Sequence, residues 1–268
     1  RFQQEPARRG TKALTQIGPY RVVEELGQGG AGDVYVAQRN GTGPMVALKV
    51  LRLPADEDDE ARFEREANIS GILDNPYTIS LLDRGLSDNG MRYMALPLFT
   101  GETLKQVIAS KPDAVRTFRY LEQLLLGVAA VHSANVVHRD LKPSNIIVQS
   151  GKDTIKIVDF GLARFIKANR SNKDEFRTMA GAISGSPAYV APETICGDHG
   201  GAPTDVYSLG IVFFELLTGK RPLTAPTAYS YLKEHLIATP LCLRQAQPGL
   251  DWDTELERLI ARMLAKHP

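Results

Sequence analysis

The 268-residue chain is long enough for one large domain or for two lobes that share a cleft. Its formal net charge of +1 argues against nucleic acid as the main partner, because nucleic-acid-binding domains concentrate basic charge. The two cysteines, Cys196 and Cys242, are far apart, which gives neither a disulfide framework nor a zinc spacing and suits a reducing compartment. The most apolar run, 206–217, is too short to cross a bilayer and contains Glu215, so we expect a buried helix there and no membrane contact from this segment.

The first hundred residues have patterns that are mainly typical of strands. Residues 1–18 are polar and basic without a periodic apolar face, which predicts a flexible arm. Clustered Val and Tyr predict strands over 20–26, 33–38 and 45–51. An acidic start followed by apolar residues at helical spacing predicts a helix over 56–73. Two further strands, 79–86 and 91–98, are expected to form a hairpin around the Asp88-Asn89-Gly90 turn.

After residue 100 the pattern changes to helices. The apolar spacing predicts them over 103–109, 117–133, 204–218 and 253–265. Strands followed by helices indicate an α+β protein with two lobes, and the boundary is expected within 97–101.

A glycine-rich turn separates the first two predicted strands. It contains G-x-G-x-x-G from Gly27 to Gly32, which alone is a weak signal because glycines also mark ordinary turns. A dinucleotide-binding site would need a helix directly after the third glycine, whereas Val34-Tyr35-Val36 predicts a strand. Glycines allow backbone amides to approach phosphate oxygens because no Cβ intervenes. The apolar strand that follows, Val46-Ala47-Leu48-Lys49, places a cation where it can pair with phosphate oxygens.

Two later motifs indicate phosphoryl transfer. The loop 138–145 reads His-Arg-Asp-Leu-Lys-Pro-Ser-Asn, and Asp159-Phe160-Gly161 follows shortly after it. Asp140 would orient the acceptor hydroxyl and take its proton, and Lys142 would neutralise charge on the transferred group. Asn145 and Asp159 offer hard oxygen ligands suited to Mg²⁺. His138 is expected to be a packed structural histidine rather than a general base.

Taken in this order, the glycine turn, the lysine strand and the two loops resemble the eukaryotic-like (Hanks-type) protein kinases, over residues 20–268. The resemblance implies an α+β, two-lobed protein kinase fold, with an antiparallel sheet and one helix in a small N-lobe (19–97) and a mainly helical C-lobe (98–268). It implies ATP- and Mg²⁺-dependent phosphorylation of protein serine and threonine hydroxyls, including autophosphorylation of the activation loop. The Asp-Leu-Lys-Pro-x-Asn pattern and the Gly185–Tyr189 segment before Ala191-Pro192-Glu193 are typical of the serine/threonine branch.

The resemblance also assigns the nucleotide site. Lys49 is expected to pair with Glu66, chosen over Glu64 because Arg65-Glu66-Ala67 matches the family pattern. Pro97 departs from the family, which usually has an acidic residue there, but proline keeps the carbonyl that adenine recognition needs. The residues assigned to the nucleotide are Leu26, Gly27, Gln28, Gly29, Gly30, Ala31, Gly32, Val34, Ala47, Lys49, Glu66, Leu96, Pro97, Phe99 and Ile147.

The long polar segment between Gly161 and Ala191 is expected to be the activation loop. Arg139 is expected to pair with a phosphate on this loop, and Ser186 to bond Asp140 and Lys142. The candidate phosphate acceptors are Thr178, which is the first choice, Ser184 and Ser171.

Asp205, at the start of the predicted helix 204–218, has two open interpretations. The resemblance makes it a buried carboxylate that supports the backbone of the loop 138–145, and its position also fits a simple N-cap. Both roles are compatible.

Two other functions stay open: a weak or inactive scaffold with a kinase fold, and a small-molecule phosphotransferase. The retained Lys49, Asp140 and Asp159 argue against the first, and Ala191-Pro192-Glu193 with the long loop argues against the second. Val206-Tyr207-Ser208 in place of a tryptophan motif, together with the compact length, favours a bacterial source. By resemblance alone we expect a homodimer through the small lobe. We also expect a cytoplasmic location, either free or as the cytoplasmic domain of a larger or membrane-anchored protein. The arginine that usually pairs with Glu193 would follow residue 268, so a truncated C-terminus is expected.

Overall fold

The computed structural model describes residues 16–28, 32–166, 187–198 and 200–267. These residues fall into two compact units: unit 1 runs to residue 61 and includes 81–98, and unit 2 comprises 62–80 and the chain from 99 onward. The candidate residues that lie outside the described ranges are Gly29, Gly30, Ala31, Ser171, Thr178, Ser184 and Ser186.

Unit 1 is built on a six-stranded antiparallel sheet in the order β1-β2-β3-β4-β6-β5. Its strands are β1 (Gln16–Ile17), β2 (Tyr20–Gln28), β3 (Gly32–Arg39), β4 (Met45–Leu51), β5 (Asp83–Leu86) and β6 (Arg92–Pro97). One face buries an apolar cluster that includes Ile17, Leu48 and Tyr93. Because Ile17 is fully buried in this core, the prediction of a flexible arm is wrong for residues 16 and 17, which form β1.

Helix α1 (Glu57–Ile72) follows the first four strands in the chain. The Asp56 carboxylate accepts a hydrogen bond from the Asp59 amide at 2.8 Å, which satisfies one of the free N–H groups at a helix start. Four acidic residues in the first turn complement the positive end of the helix dipole. The buried side of the helix carries Phe63 and Ile69.

Unit 2 combines helices with two small sheets. Most of helix α1, from residue 62 onward, falls in this unit. Its other helices are α2 (Leu104–Ala109), α3 (Ala114–Ser133), α4 (Pro192–Ile195), α5 (Ala202–Thr218), α6 (Ala228–Ile237), α7 (Leu243–Ala246) and α8 (Thr254–Met263). A three-stranded antiparallel sheet runs β10-β9-β7, and a two-stranded sheet pairs β11 with β8. These strands are β7 (Gly101–Thr103), β8 (Val136–Val137), β9 (Ile146–Gln149), β10 (Thr154–Ile157) and β11 (Arg164–Phe165).

Helix α5 is buried along most of its length, as the sequence predicts. The six consecutive residues 209–214, which together point to all sides of the helix, are all buried, as is typical of a helix surrounded by protein. It ends at Gly219, whose φ of +69° gives the left-handed C-terminal turn that glycine adopts without strain. In the described part of the chain, no helix combines the length and the apolar character needed to cross a membrane.

Most predicted elements are present, and two boundaries differ for identifiable reasons. The strand predicted over 79–86 begins only at Asp83, because the Ile79 amide bonds the Ile157 carbonyl at 3.0 Å instead of a hairpin neighbour. Helix α3 begins at Ala114 rather than at residue 117, because Asp113 caps it by accepting from the Arg116 amide at 2.8 Å. Strands β1 and β7 to β11, and helices α4, α6 and α7, have no counterpart in the prediction.

Candidate functional site

One face of the unit 1 sheet carries side chains that the sequence assigns to a nucleotide. Lys49 lies directly opposite Val34 on β3, and Ala47 lies opposite Leu96 on β6. Opposed residues of antiparallel strands share a face, as do residues two apart in one strand, so these four side chains lie on the same face. Leu48, between the two β4 residues, points into the core cluster on the other face. One face of the sheet is therefore buried in the core cluster, and the other face carries a cation with apolar neighbours.

The described ends of the glycine turn are shaped by strand packing. A β-bulge between Glu25 and Gly27 includes Leu26, which is half exposed. Gly32 is required by packing as well as by any phosphate, because a Cβ there would lie 2.3 Å from the Val50 carbonyl oxygen. This second reason for the last glycine of the motif is not visible in the sequence.

Two other nucleotide candidates, Phe99 and Ile147, belong to unit 2. Ile147 on β9 is paired with Thr103 on β7 at one side and with Lys156 on β10 at the other. The Lys156 ammonium lies 5.3 Å from the centroid of the Phe99 ring. It also donates a hydrogen bond to the Thr78 carbonyl at 3.3 Å. Lys156 was not a sequence candidate, because a lone lysine in a short strand has no distinguishing pattern.

The Asp140 loop (His138–Asn145) brings three candidate residues together. Lys142 Nζ donates to Asp140 Oδ2 at 2.7 Å, and Asn145 Nδ2 donates to the same oxygen at 2.9 Å and to the Asp140 carbonyl at 3.0 Å. The Asp140 and Lys142 side chains keep 13% and 19% of their surface exposed, so both remain accessible. With Oδ2 held by two donors, Asp140 Oδ1 is the carboxylate oxygen with spare capacity to accept a proton.

Asp205 supports the backbone of this loop from inside the protein. It is fully buried, and its two oxygens accept hydrogen bonds from the amides of His138 and Arg139, each at 2.8 Å. The N-cap interpretation is wrong, because helix α5 begins at Ala202 and the cap position is Gly201. The supporting role is confirmed by these two bonds. The backbone of Arg139, held by one of these bonds, has a φ of +67°, in the left-handed region that residues with a Cβ rarely adopt.

His132 joins this arrangement and was missed by sequence reasoning. Its Nε2 lies 2.8 Å from Asp205 Oδ2, so the carboxylate links the last turn of α3 to the Asp140 loop. The only signal in the sequence is a histidine at the end of the helix that leads into the loop. His138 itself is the packed histidine that the sequence predicts: it is 1% exposed, and its ring lies 4.8 Å from the ring of Phe160.

The Asp159 turn (Asp159–Gly161) lies beside the Asp140 loop. The Val158 amide donates to the Asn145 carbonyl at 2.9 Å, which joins the segments that carry the two candidate metal ligands. Asp159 has a φ of +66° and an exposed side chain, whereas Phe160 next to it is fully buried. The buried Phe160 ring therefore anchors the turn, and the Asp159 carboxylate stays exposed.

Glu66 is buried, whereas Glu64 is partly exposed. A Cβ placed on Gly161 would lie 3.6 Å from Glu66 Oε2 and 3.3 Å from Asp159 Oδ1. The Glu66 carboxylate thus lies at the Asp159 turn, and the absence of a side chain on Gly161 leaves room for it. Its pairing with Lys49 stays a prediction.

The segment Pro187–Tyr189 is tied to helix α5. Ser208 Oγ donates to the Tyr189 carbonyl at 2.8 Å, and the Tyr189 hydroxyl donates to Glu215 at 2.6 Å. Burial is the main cause that raises the pKa of Tyr189, and the Glu215 carboxylate adds to it, so this hydroxyl stays a donor. Glu193 accepts a hydrogen bond from the Thr204 hydroxyl at 2.7 Å. These contacts fix both sides of the Ala191-Pro192-Glu193 motif.

Known proteins match nearly the whole chain. The model of the protein kinase domain family matches residues 20–268. The chain is 34% identical over 256 residues to the serine/threonine-protein kinase pkn3 of Myxococcus xanthus, covering 93% of this chain and 46% of that protein. It is 32% identical over 255 residues to the serine/threonine-protein kinase PrkC of Bacillus subtilis, covering 94% and 38%. It is also 32% identical over 256 residues to the serine/threonine-protein kinase PknB of Mycobacterium tuberculosis, covering 93% and 40%. The chain spans less than half the length of these relatives.

Proposed function

The chain belongs to the protein kinase domain family, with the α+β fold of that family, and we propose that it transfers the γ-phosphoryl group of ATP to serine and threonine hydroxyls of proteins, its own included. The observation that carries the proposal is the Asp140 carboxylate, held by Lys142 and Asn145 within a loop that Asp205 fixes from behind. The similarity to bacterial serine/threonine kinases supports the choice of acceptor.

In the proposed reaction, Asp140 orients the acceptor hydroxyl and takes its proton as the hydroxyl oxygen bonds to the γ-phosphorus and the bond to ADP breaks. Lys142 keeps one carboxylate oxygen engaged, which leaves the other directed at the hydroxyl. The same ammonium offers positive charge to the transferred group, where charge stabilisation contributes most to such reactions.

The nucleotide is assigned to the residues that the sequence motifs name. Lys49 pairs with the α- and β-phosphates, Glu66 orients Lys49, and the amides of the glycine turn 27–32 meet the phosphates. Adenine lies against apolar side chains and bonds the Pro97 carbonyl and the Phe99 amide. The apolar residues are Leu26, Val34, Ala47, Leu96 and Ile147.

The residues present fit Mg²⁺. Because Asn145 Nδ2 already donates to two Asp140 oxygens, the amide oxygen Oδ1 is the atom with ligand chemistry, and the exposed Asp159 carboxylate is the second donor. The described residues contain no group of three or more His, Cys, Asp or Glu that could hold a metal alone. Two oxygen donors completed by phosphate and water are the usual magnesium arrangement. When bound, Mg²⁺ neutralises charge on the phosphate oxygens.

The proposal extends to regulation, with Arg139 pairing with a phosphate on Thr178 and Ser186 bonding Asp140 and Lys142. Placement in the cytoplasm and dimer formation are proposed on the same similarity to bacterial kinases.

The test is a transfer assay with labelled ATP and Mg²⁺, followed by analysis of the phosphorylated amino acids. We expect label on serine and threonine, and a fall of about 10²- to 10⁴-fold in kcat for Asp140→Asn, the range that a positioned proton acceptor contributes. ATP affinity, measured by titration, should change little, because Asp140 is assigned to the hydroxyl. Asp251→Asn, at an exposed aspartate, is the matched control. Transfer that persists in Asp140→Asn, or label on small molecules alone, would contradict the proposal.

A further inference from the structure

Lys156 occupies a position that the proposed mechanism does not use. It lies on β10 directly opposite Ile147, so the two side chains share one face of the small sheet. Its ammonium is 5.3 Å from the centroid of the Phe99 ring and 3.3 Å from the Thr78 carbonyl oxygen. One side chain thus joins β10 to two segments that are distant in sequence.

The environment of this ammonium is that of a partly dehydrated cation. Burial lowers the pKa of Lys156 from its ordinary value. Within the described part of the chain, its ammonium makes a hydrogen bond to a carbonyl and no ion pair. A cation over an aromatic face is attracted by the ring quadrupole, and the attraction grows when water is excluded. An ordinary surface lysine would instead extend its ammonium into water.

The chain on both sides of these contacts is held firmly. After Phe99, the Thr100 carbonyl accepts from the Ser150 amide at 2.9 Å. Next to it, a Cβ on Gly101 would lie 2.1 Å from the Val148 carbonyl oxygen. Beside Thr78, the Ile157 amide donates to the Tyr77 carbonyl at 2.8 Å. Lys156 therefore fixes the Phe99 ring between segments that cannot easily shift.

We infer that Lys156 is a positioning residue for adenine binding: its cation holds the Phe99 ring and thereby the Phe99 backbone amide. The inference rests on the proposed function, because that function assigns the amide to adenine. Ile147, assigned to the apolar wall of the same site, packs alongside Lys156 in the sheet. Removal of the cation should therefore weaken nucleotide affinity more than it slows transfer at saturating ATP.

The test compares two substitutions at this position by direct titration with ATP and Mg²⁺. Lys156→Met keeps the aliphatic stem and loses the charge, and we expect about 3- to 10-fold weaker ATP binding, in the range of a partly buried cation–ring contact. Lys156→Arg keeps the charge and should bind within about twofold of the wild type. Lys152→Met, at an exposed lysine in the β9–β10 turn, is the matched control and should leave affinity unchanged. The KM for ATP should rise in Lys156→Met while the KM for a protein substrate stays constant.

A double-mutant cycle with Phe99→Leu separates positioning from a general loss of stability. If Lys156 acts through the ring, Lys156→Met should cost little further affinity once Phe99 is leucine, because coupled residues are not additive. The inference would be overturned if Lys156→Met lowered ATP affinity equally in the wild type and in Phe99→Leu, or if Lys156→Met bound ATP as tightly as the wild type. In either case, ATP binding by the wild-type protein would leave the proposed function intact. A wild-type protein that binds no ATP would overturn both.

Discussion

Replacement of Asp205 by asparagine tests whether a buried carboxylate holds the backbone of the Asp140 loop. Oδ2 accepts from the His138 amide and from His132 Nε2, and Oδ1 accepts from the Arg139 amide, each at 2.8 Å. Asparagine has nearly the same shape but only one acceptor oxygen. Its NH₂ group must therefore face one of the two backbone amides, and two donors then oppose each other inside the protein.

The missing acceptor oxygen determines how much the substitution lowers the free energy of unfolding. An unsatisfied buried donor costs about 1–3 kcal/mol, and bonds to a charged acceptor are stronger than those to a neutral amide, so we expect a loss of about 3 kcal/mol in the free energy of unfolding. A domain of this size loses roughly 2–4 °C in melting temperature per kcal/mol, which predicts a fall of about 6–12 °C. The left-handed backbone of Arg139 also loses support, and displacement of Asp140 by a fraction of an ångström should lower kcat by at least about tenfold.

Thermal unfolding followed by circular dichroism, and kcat measured at 25 °C where the variant is still folded, distinguish these effects. His132→Gln removes a bond that does not involve the loop backbone, so its kcat should fall less than that of Asp205→Asn. Asp251→Asn, at an exposed site, should melt with the wild type. An Asp205→Asn variant that melts within about 1 °C of the wild type and keeps its kcat would refute the reasoning.

Two further predictions concern stability. Burial is the main cause that lowers the pKa of His235 from 6.5 to about 4. As the pH falls, the unfolded state therefore takes up a proton before the folded state does. The contribution of His235 to the free energy of unfolding is fully present above pH 6.5 and is lost as the pH drops towards 4. Urea unfolding should show that the free energy of unfolding falls by about 2 kcal/mol from pH 7 to pH 5, and this difference should largely disappear in His235→Gln. If the variant kept the pH dependence of the wild type, the prediction would be contradicted. Gly101→Ala should lower the free energy of unfolding by more than about 2 kcal/mol, because its Cβ would lie 2.1 Å from the Val148 carbonyl oxygen. Gly249→Ala, with no atom within 4 Å of the added Cβ, should be nearly neutral, and equal melting temperatures for the two variants would count against the packing argument.

Much of the fold can be predicted because local signals and burial agree. The strands of the unit 1 sheet have Val and Tyr patterns that match the alternation of their side chains between the core face and the opposite face. Helix α5 is apolar enough to be recognised as buried. The small sheet β7, β9 and β10 was missed because its strands have three or four residues, too few to show a period. Its strand β7 pairs with β9 from a distant part of the chain, which composition does not report.

The candidate residues could be named from motifs, but their supports could not. Asp140, Lys142 and Asn145 lie within six residues of one another, so their meeting in one loop is almost a local property. Asp205 could be proposed only from the resemblance, since it is 67 positions from the His138 amide that it bonds. His132 and Lys156 carry no motif, and only the fold brings them to their partners.

The two strained residues of the site show why these supports matter. Arg139 and Asp159 each have a positive φ, a conformation that costs a residue with a Cβ on the order of 1 kcal/mol. Such positions persist only where the surroundings determine them. Asp205 holds the backbone of Arg139 by accepting a hydrogen bond from the Arg139 amide. The buried Phe160 ring holds the Asp159 turn. The strain is therefore placed directly before the proposed proton acceptor and at the proposed metal ligand, where relaxation of the backbone would move the reacting groups. It follows that substitutions at these buried supports should reduce the rate of transfer more than their cost in stability alone would suggest.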